Sequence, residues 1–464
     1  MNEEASGGAV NSLNIEKLSL RDYRCFDAID IDFHEKLTVL VASNGAGKTS
    51  ILDAIAVAFG PYIGAFDEGL GRHFQPSDIR LSRVRETATN EMEYAARGVC
   101  LEATGWIPGS LSDSFGKPSS WKRRLSGPSK AKTTIKEARE LIKYGKDQQE
   151  AVRTPGSDTV LPLLAHYGTG RLWQQKKLTP GKLPRTSRTI GYTDCLDPSS
   201  SYKSLVEWFR YWTTNSLNGR VAASELGKVY EATEFDHFIE SVAGAVNTCL
   251  RPTEWKDITY SLAREELVAH HHLHGELPVE ILSDGIRNMI GMVADIAFRA
   301  TKLNPQFGVS AAKHTPGIVL IDEVDMHLHP DWQQVVLQNL TSAFPNVQFI
   351  VTTHSPQVLS TVRRENIRIL NQSETGYEAV MPDFSPLAHE AGDALAKVMG
   401  THKQPPLPLL NVVREFEQLV RSGQEESATA LVLRGQLDAS GYQIHESDLV
   451  TWRFLAKRKA QSGA

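Results

Sequence analysis

The chain has 464 residues, of which 41% are hydrophobic and 23% charged, and its formal net charge is −5. This composition excludes the disordered and fibrous classes, and the small net charge gives no global attraction to nucleic acid or to an anionic membrane. Apolar runs fall short of the roughly 20 residues that span a bilayer, residues 1–12 do not resemble a signal peptide, and the four cysteines form no C-x-x-C pair. We therefore expect a soluble cytoplasmic protein with no membrane contact, disulfide framework or structural zinc.

The first part of the chain predicts strands around one helix, interrupted by an insertion. Three short β-like runs occupy residues 13–41, and apolar side chains recur at helical spacing in residues 51–59. Residues 96–107 favour a further strand. Residues 108–158 are polar and basic, so we predict a hairpin or loop that leads into one exposed helix outside the core. Residues 159–173 return to a buried strand that ends in glycines.

The remaining part predicts helices and two central strands. Residues 200–250 are predicted to be mostly helical. Two aliphatic runs, residues 317–322 and 347–355, flank a predicted helix from Asp331 to Phe344. Continuous aliphatic runs of this kind are typical of strands in a sheet that is covered on both faces. A proline-rich joint at residues 403–410 introduces a last helical stretch.

The strongest motif is VLVASNGAGKTS, which joins a predicted strand to a predicted helix. In a P-loop, glycines let backbone N–H groups wrap the phosphates, a lysine reaches the β/γ oxygens, and a hydroxyl binds Mg²⁺ at the start of a helix. Ala42 replaces the first glycine of the usual pattern, at a position that shapes the turn. An incidental glycine-rich turn is disfavoured by the order strand, loop, helix. The predicted nucleotide-binding residues are Asn44, Gly45, Ala46, Gly47, Lys48, Thr49 and Ser50.

The second motif is LIDE, which ends the first aliphatic run. A P-loop ATPase needs one carboxylate at the tip of the neighbouring strand for the Mg²⁺ shell and a second acid to polarise the attacking water. Asp322 fits the first role, together with the Thr49 hydroxyl, and Glu323 fits the second. The pattern is weak alone, because many strands end in acids, and becomes specific when it is paired with the P-loop.

Two further polar positions allow more than one interpretation. Ser283 and Gly285 in the LSDG segment open a predicted helix, where they could form another anion-binding end. A simple N-cap is an equal alternative, since Ser and Asp are common caps. His354 follows a buried strand, at the end where open α/β sheets bind ligands. A satisfied core or capping histidine is the ordinary alternative there.

The order of these motifs resembles the ATP-binding-cassette (ABC) head of the SMC, RecF and overcoming-lysogenisation-defect families. The P-loop is followed by a long insert, the LSDG helix, LIDE about 40 residues later, and the His354 strand about 30 residues further on. This resemblance implies an α/β fold. It has a P-loop core sheet with an antiparallel β lobe, a helical insertion and a helical C-terminal segment.

The resemblance also implies a head-to-tail dimer with ATP and Mg²⁺ between its subunits. In this comparison LSDG is the signature motif, with Asp284 in place of the more usual glycine. Ser283 would then contact the γ-phosphate of ATP that the opposite subunit binds.

Other positions take their roles from the same resemblance. His354 corresponds to the switch histidine, residues 324–330 to the D-loop, and Arg24 to an arginine that commonly lies near the nucleotide. The glutamine that senses Mg²⁺ in these heads has no clear match, and Gln174 and Gln175 are weak candidates.

Four segments are similar to the PtuA-type ATPases of the bacterial Septu and retron antiphage defence systems: YGTGRLW, LSDGIRNMIGMVADI, IDEVDMHLHPDWQQ and VTTHSPQVL. The resemblance covers residues 13–385 and implies work beside a separately encoded HNH nuclease. The reverse transcriptase and msDNA of a retron are further candidate partners, and a homodimer or larger assembly is expected. The expected function is ATP hydrolysis that controls the nuclease.

Two alternative functions remain open. A DNA repair ATPase of the RecF or SMC type would clamp DNA directly, but the slightly acidic charge and the lack of heptads in the insert count against it. An ATP-locked structural scaffold with slow turnover is the other, and the intact Glu323 counts against it. A C-terminal Toprim nuclease is disfavoured, because only about 110 residues follow His354 and they hold no obvious metal cluster.

Several histidines could be mistaken for a metal site. On a strand, His270, His272 and His274 would share one face, but acids or cysteines at ligand spacing are missing, so an exposed strand is favoured. His327 and His329 stand beside LIDE and are not metal ligands in this interpretation.

A basic run and a tryptophan pair are the remaining conspicuous features. The run at residues 121–124, with Lys130 and Lys132, favours a solvated insertion face over contact with phosphate backbones, yet it is the first place to look for nucleic-acid binding. Trp208 and Trp212 at helical spacing favour a core or interface position.

These predictions divide the chain into five parts. They are an N-terminal part of the ATPase head with the P-loop (1–107), a basic, helical insertion (108–158), a strand with a mainly helical lobe (159–280), a C-terminal part of the head with the signature, LIDE, D-loop and switch histidine (281–385), and a helical C-terminal segment for a partner or dimer (386–464).

Overall fold

The computed structural model describes residues 12–83, 92–114, 116–129, 132–172, 187–199, 202–373, 376–402 and 407–462. The strands are β1 (Lys17–Tyr23), β2 (Phe26–Asp32), β3 (Leu37–Val41), β4 (Leu81–Arg83), β5 (Met92–Tyr94), β6 (Val99–Gly105), β7 (Ser119–Leu125), β8 (Leu163–Tyr167), β9 (Trp255–Ser261), β10 (Glu266–His271), β11 (Gly275–Pro278), β12 (Gly317–Ile321), β13 (Val347–Thr352), β14 (Ile367–Ser373) and β15 (Gly376–Val380).

The α-helices are α1 (Lys48–Ile63), α2 (Leu111–Ser114), α3 (Arg139–Arg153), α4 (Tyr202–Glu225), α5 (Glu234–Leu250), α6 (Asp284–Leu303), α7 (Ala311–His314), α8 (Pro330–Gln333), α9 (Val336–Ala343), α10 (Pro356–Leu359), α11 (Ala391–Lys397), α12 (Leu409–Arg421), α13 (Ala428–Ala439) and α14 (Glu446–Ser462). Within the described ranges, no helix is long and apolar enough to cross a membrane.

A six-stranded sheet has the strand order β15-β14-β3-β13-β12-β8 and belongs to the part of the chain before residue 400. All neighbouring strands are parallel except the edge pair β14 and β15. Every residue of β12 and β13 is buried, which explains why both strands are mostly apolar and confirms the predicted central strands. Because β3, β12 and β13 are parallel, the P-loop, Asp322 and His354 all follow the same edge of the sheet.

Helix α1 is buried on all sides, apart from Thr49 and Ser50. It packs against β13 of the central sheet and against β6 and β7 of a second, antiparallel sheet. A helix that contacts protein on every face has no need of a polar face, so its sequence is apolar nearly throughout. After the polar first turn, Lys48 to Ser50, the helix carries one charged residue, Asp53, which is only 8% exposed.

The antiparallel sheet has the strand order β2-β1-β6-β7, and its last strand corrects one prediction. Residues 119–125 are not a solvated insertion face but a strand paired with β6 along its whole length. Trp121 and Arg123 are 1% and 0% exposed, whereas Lys122 and Arg124 point outward. Arg123 donates hydrogen bonds to the carbonyl oxygens of Val57 (2.7 Å) and Thr134 (2.8 Å), which compensates for burying its charge.

The helical part of the head is organised around α6, which is buried over most of its length. Trp208 and Trp212 of α4 pack against Phe298 of α6 and are core residues, as predicted. Strands β9, β10 and β11 form a small antiparallel sheet beside these helices. The predicted single helix over 331–344 is divided into α8 and α9, because the backbone leaves the helical region at Val335 (φ −121°).

The chain divides into two compact units, Met1–Met399 and Gly400–Ala464. The second unit contains α12, α13 and α14, which pack around their own small core. Helix α11 lies before this division and packs against α10 of the first unit, whereas the boundary expected from the sequence was residue 386. Residues Lys130, Gln174 and Gln175 lie outside the described ranges.

Candidate functional site

The P-loop connects β3 to α1 through two residues with left-handed backbone. Gly45 and Gly47 have φ values of +79° and +91°, a region that favours glycine. A Cβ at Gly47 would lie 2.3 Å from Cζ of Phe26 and 2.7 Å from Sγ of Cys25. The GAGK spacing is therefore required both by the turn and by the close packing of the β1–β2 turn against the loop.

Lys48 is held inside the P-loop. Its Nζ donates to the carbonyl oxygens of Ala42 (2.9 Å) and Ser43 (3.2 Å), and the residue is only 7% exposed. Burial lowers the pKa of Lys48, while the nearby carboxylates of Asp322 and Glu323 act in the opposite direction. The lysine thus provides a cation beside two acids, at the start of a helix.

Asp322 receives a hydrogen bond on each carboxylate oxygen. Thr49 Oγ1 donates to Oδ2 at 2.6 Å, and Thr352 Oγ1 donates to Oδ1 at 2.6 Å. The acid is 2% exposed, so these donors replace the water that it loses on folding. The contact with Thr49 joins the two motifs that the sequence separates by 273 residues.

Glu323 follows in an uncommon backbone conformation. Its φ is +48°, in the left-handed region that non-glycine residues seldom adopt. Its N–H donates to Thr352 Oγ1 at 2.7 Å, and the residue is half-buried. The strand therefore ends abruptly after Asp322, and Glu323 lies beside the P-loop rather than continuing the strand.

The residues after β13 face the segment after LIDE. Thr353 Oγ1 donates to Asp325 Oδ1 at 2.5 Å, which ties the predicted D-loop to the end of β13. His354 is the next residue and lines the same cleft as Glu323.

Arg24 lies at the edge of the cleft, fixed by two acids. Its Nε donates to Asp78 (2.8 Å), and its Nη1 donates to Asp53 (2.7 Å) and lies 3.4 Å from Ser50 Oγ. Arg72 Nη2 contacts the other oxygen of Asp53 at 2.5 Å. Two arginines thus share the buried acid of α1, and Arg24 is held directly beside the P-loop helix.

His166 extends this network towards β12. Its Nδ1 accepts from Arg72 Nη1 at 3.1 Å, while its Nε2 is buried without a hydrogen-bond partner among the described residues. Burial and the neighbouring Arg72 lower the pKa of His166 to about 4. The imidazole is therefore neutral at pH 7. It lies beside the ion pair that Arg72 forms with Asp53.

Most of the predicted site residues line one cleft of about 310 Å³. Its lining consists of Arg24, Cys25, Asn44, Gly45, Gly47, Lys48, Thr49, Ser50, Asp322, Glu323 and His354. Ser283 and Gly285 do not line it; they lie at the start of α6, where Ser283 is exposed.

The start of α6 packs closely on the predicted D-loop. A Cβ at Gly285 would lie 2.4 Å from the carbonyl oxygen of His327, so this position has no room for a side chain. Arg287 Nη2 pairs with Asp284 at 2.7 Å, which offsets the acid that replaces the usual signature glycine. His327 itself is exposed, and His329 caps α8 by accepting from the N–H of Asp331.

One residue of the histidine tract, His271, is buried, whereas the sequence prediction concerned His270, His272 and His274. His271 lies near Glu254 and His272, and the ligand atoms of these three residues are within 4.8 Å of one another. However, His271 Nδ1 accepts from the N–H of Leu273 (3.1 Å), so the proton of the neutral ring is on Nε2, which faces Glu254. These three side chains form a polar cluster, in which His272 Nδ1 lies 3.1 Å from the Glu254 carboxylate.

Several residues of the site were not predicted from the sequence, among them Cys25, Asp53 and Thr352. Cys25 lines the cleft, Asp53 binds both arginines, and Thr352 contacts both LIDE acids. A signal existed for two of them, since an acid within an apolar helix and a threonine at the end of an aliphatic strand both need buried partners. Their partners lie far away in sequence and could not be identified from it.

Two family models match the chain. Residues 17–222 match an AAA domain, and residues 265–360 match an AAA domain described as a putative AbiEii toxin of a type IV toxin–antitoxin system. The first match includes the P-loop, and the second includes the LSDG, LIDE and His354 segments.

Curated relatives extend the similarity over most of the chain. The Retron Vc95 probable ATPase of Vibrio cholerae is 25% identical over 89% of this chain and 85% of its own length. The Retron Ec83 probable ATPase of Escherichia coli is 25% identical over 78% of this chain and 72% of its own. The Septu protein PtuA of Bacillus mycoides is 38% identical over 21% of this chain and 13% of its own. The resemblance expected from the motifs is confirmed.

The buried His166 predicts a pH dependence of stability. In the unfolded chain a histidine takes up a proton near pH 6.5, whereas in the folded protein the pKa of His166 is about 4. The unfolded state therefore binds more protons between these values, and stability falls as pH drops through that window. From pH 7 to pH 5 this one group lowers the free energy of unfolding by about 2 kcal/mol.

Urea unfolding of His166→Gln at pH 7 and pH 5 measures this contribution, because glutamine keeps an acceptor for Arg72 but does not titrate. We expect the variant to lose about 2 kcal/mol less than the wild type over this interval. The exposed His329 serves as the control, since His329→Gln keeps the wild-type pH dependence. Equal losses in His166→Gln and the wild type would contradict the assignment.

Proposed function

Because the chain is an ATPase of the ABC-type AAA class, we propose that it binds and hydrolyses ATP in this cleft and controls an antiphage defence complex. The observation that carries the catalytic part is the contact between Thr49 and Asp322 at 2.6 Å, beside Lys48 and Glu323. The similarity to retron and Septu ATPases supports the defence setting.

The P-loop would bind the phosphates of ATP. Asn44 to Ser50 surround the N-terminus of α1, where backbone N–H groups and the helix dipole favour an anion. Lys48 would exchange its hydrogen bonds to Ala42 and Ser43 for phosphate oxygens. Its burial supports this exchange, because a desolvated ammonium interacts strongly with a charged partner.

Thr49 and Asp322 fit a Mg²⁺ ion. Both offer oxygen atoms, the ligands that Mg²⁺ prefers, and their oxygens are adjacent at the base of the cleft. A bound Mg²⁺ would offset the negative charge of the phosphate oxygens. The Asp322 carboxylate is already oriented for such a role by its two hydrogen-bond donors.

Glu323 and His354 would act on the γ-phosphate side. Glu323 lines the cleft as a half-buried carboxylate and would accept the proton of the attacking water. His354 lies at the end of the adjacent strand, within reach of the same space, and would contact the γ-phosphate. Arg24, held by Asp53 and Asp78 beside Ser50, would stabilise phosphate charge near the start of α1.

ATP would be enclosed between two copies of the chain. Ser283 is exposed at the start of α6 and lies outside the chain's own cleft, so its phosphate contact would be made to the partner subunit. The helix N-terminus favours an anion there, and the Arg287 pairing reduces the repulsion that Asp284 would cause.

The proposed complex contains a separately encoded HNH nuclease as its effector. The nucleotide state of the ATPase dimer would hold or release that nuclease, and in a retron setting the reverse transcriptase and msDNA would belong to the same assembly. The support for this step is the similarity to retron ATPases over most of the chain, together with the local similarity to PtuA.

Glu323→Gln should separate ATP binding from hydrolysis. The amide keeps the size of the side chain but cannot accept the proton of water, so we expect phosphate release to fall by about 100-fold or more. The Kd for ATP should remain close to that of the wild type. Phosphate release and binding of a fluorescent ATP analogue measure the two quantities, and near-normal hydrolysis would remove Glu323 from its role.

Mixing two inactive variants tests whether Ser283 acts across the dimer. Lys48→Ala removes the P-loop cation, and Ser283→Arg blocks the exposed signature end. A mixed dimer regains one intact site only if the signature serves the partner's P-loop. Equal mixing should therefore restore about one quarter of the wild-type ATPase rate, since half of the dimers are mixed and each has one of two sites.

The matched control for this mixture replaces Ser283→Arg by the double variant Lys48→Ala/Ser283→Arg. No dimer in that mixture has an intact P-loop, so hydrolysis should stay at background. Failure of the first mixture to gain activity would indicate that each chain uses its own signature or works without one.

Co-expression with the products of adjacent genes tests the defence assignment. A tagged chain should co-purify with an HNH nuclease, and nuclease activity should differ between ATP and a non-hydrolysable analogue. Glu323→Gln provides the control, because it should bind the nuclease in the ATP-bound state only. Tight, salt-sensitive duplex binding by the isolated chain, with no associated nuclease, would instead support the DNA repair alternative.

A further inference from the structure

Thr352, the last residue of β13, contacts both acids of LIDE through one hydroxyl group. The residue is 0% exposed. Its Oγ1 donates to Asp322 Oδ1 at 2.6 Å and accepts the N–H of Glu323 at 2.7 Å. A single buried hydroxyl thus donates to the residue that would hold Mg²⁺ and accepts from the residue that would activate water.

The same threonine also fixes the turn that follows LIDE. Its carbonyl oxygen accepts the N–H of Val324 at 3.0 Å, so consecutive N–H groups of the turn both bond to Thr352. Glu323 between them has a φ of +48°, which a non-glycine residue keeps only when its surroundings hold it there. Without the hydroxyl, the N–H of Glu323 would lose its acceptor at that strained position.

The hydroxyl also determines which oxygen of Asp322 faces the P-loop. Oδ1 is occupied by Thr352 and Oδ2 is directed to Thr49, so rotation of the carboxylate would break one of two short hydrogen bonds. Residues that hydrogen-bond a metal-binding carboxylate orient it, and their removal commonly weakens both metal affinity and activity.

We infer that Thr352 is a positioning residue for ATP hydrolysis, which orients the Asp322 carboxylate towards Thr49 and holds Glu323 in its left-handed conformation. The inference rests on the proposed roles of Asp322 and Glu323. The equally buried Thr38 of the neighbouring strand differs, because among the described residues its hydroxyl makes one hydrogen bond, accepted from the N–H of His34 at 2.9 Å.

Thr352→Val removes the hydroxyl at nearly constant volume, and Thr352→Ser retains it. For the valine variant we expect kcat to fall by roughly 10- to 100-fold and the Mg²⁺ concentration for half-maximal activity to rise by a similar factor. Serine should restore kcat to within about threefold of the wild type, because it keeps the donor and the acceptor.

A binding measurement separates positioning from general damage. Affinity for a fluorescent ATP analogue is measured with EDTA and with Mg²⁺, and Mn²⁺ binding is followed by its paramagnetic signal. Thr352→Val should keep the EDTA affinity within about twofold but lose most of the gain that the divalent ion gives. Thr38→Val is the matched control, with unchanged metal dependence and kcat. If the valine variant does not fold, Thr352→Ala is measured in its place with the same expected result.

Three results would overturn the inference. The first is wild-type kcat and metal dependence in Thr352→Val. The second is an equal loss in Thr352→Val and Thr352→Ser, which would indicate a packing effect. The third is an equal loss of affinity with EDTA and with Mg²⁺. The same assays on Asp322→Asn and Glu323→Gln distinguish a wrong site from a wrong role for Thr352. If these two variants remain active, both the proposed site and the inference are wrong. If they are inactive while Thr352→Val is active, only the inference is wrong.

Discussion

The parallel register of β3, β13 and β12 is the constraint on which the site depends. Leu40 of β3 lies opposite Thr352 of β13, and Ile321 of β12 lies opposite Val351. This register brings Asp322 to 2.6 Å from Thr49, although the two residues are 273 positions apart. A shift of β12 by one residue would turn its side chains to the other face of the sheet. The Asp322 carboxylate would then move away from the Thr49 hydroxyl.

Charge at the base of the cleft is arranged so that buried groups have partners. Asp53 and Asp78 are neutralised by Arg24 and Arg72, and this cluster anchors α1 beneath the P-loop. Asp322 instead receives hydrogen bonds from two hydroxyl groups, those of Thr49 and Thr352. These two donors and the nearby Lys48 ammonium compensate for the burial of the Asp322 carboxylate.

The sequence predicted the α/β architecture because long-range order in a parallel sheet has local signals. An aliphatic run such as residues 317–322 indicates a buried strand, and a glycine-rich segment between a strand and a helix indicates a tight connection. The error at residues 119–125 has the opposite cause, since a run of basic residues hides a strand whose alternate members, Trp121 and Arg123, face the core. Asp53 and Thr352 could not be assigned, because their roles arise from partners that only folding brings near. The site roles themselves remain predictions.

The segment from Glu323 to His327 joins the residue proposed to activate water to the start of α6, which is proposed to contact the partner's ATP. Both residues have left-handed backbone, and the carbonyl of His327 lies so close to Gly285 that no Cβ fits between them. The segment therefore packs directly against the start of α6. In the proposed dimer, α6 would contact the partner's ATP, while Glu323 acts on the chain's own. This five-residue connection would couple hydrolysis in the chain's own site to the contact that α6 makes with the partner's ATP. No separate signalling element would be needed.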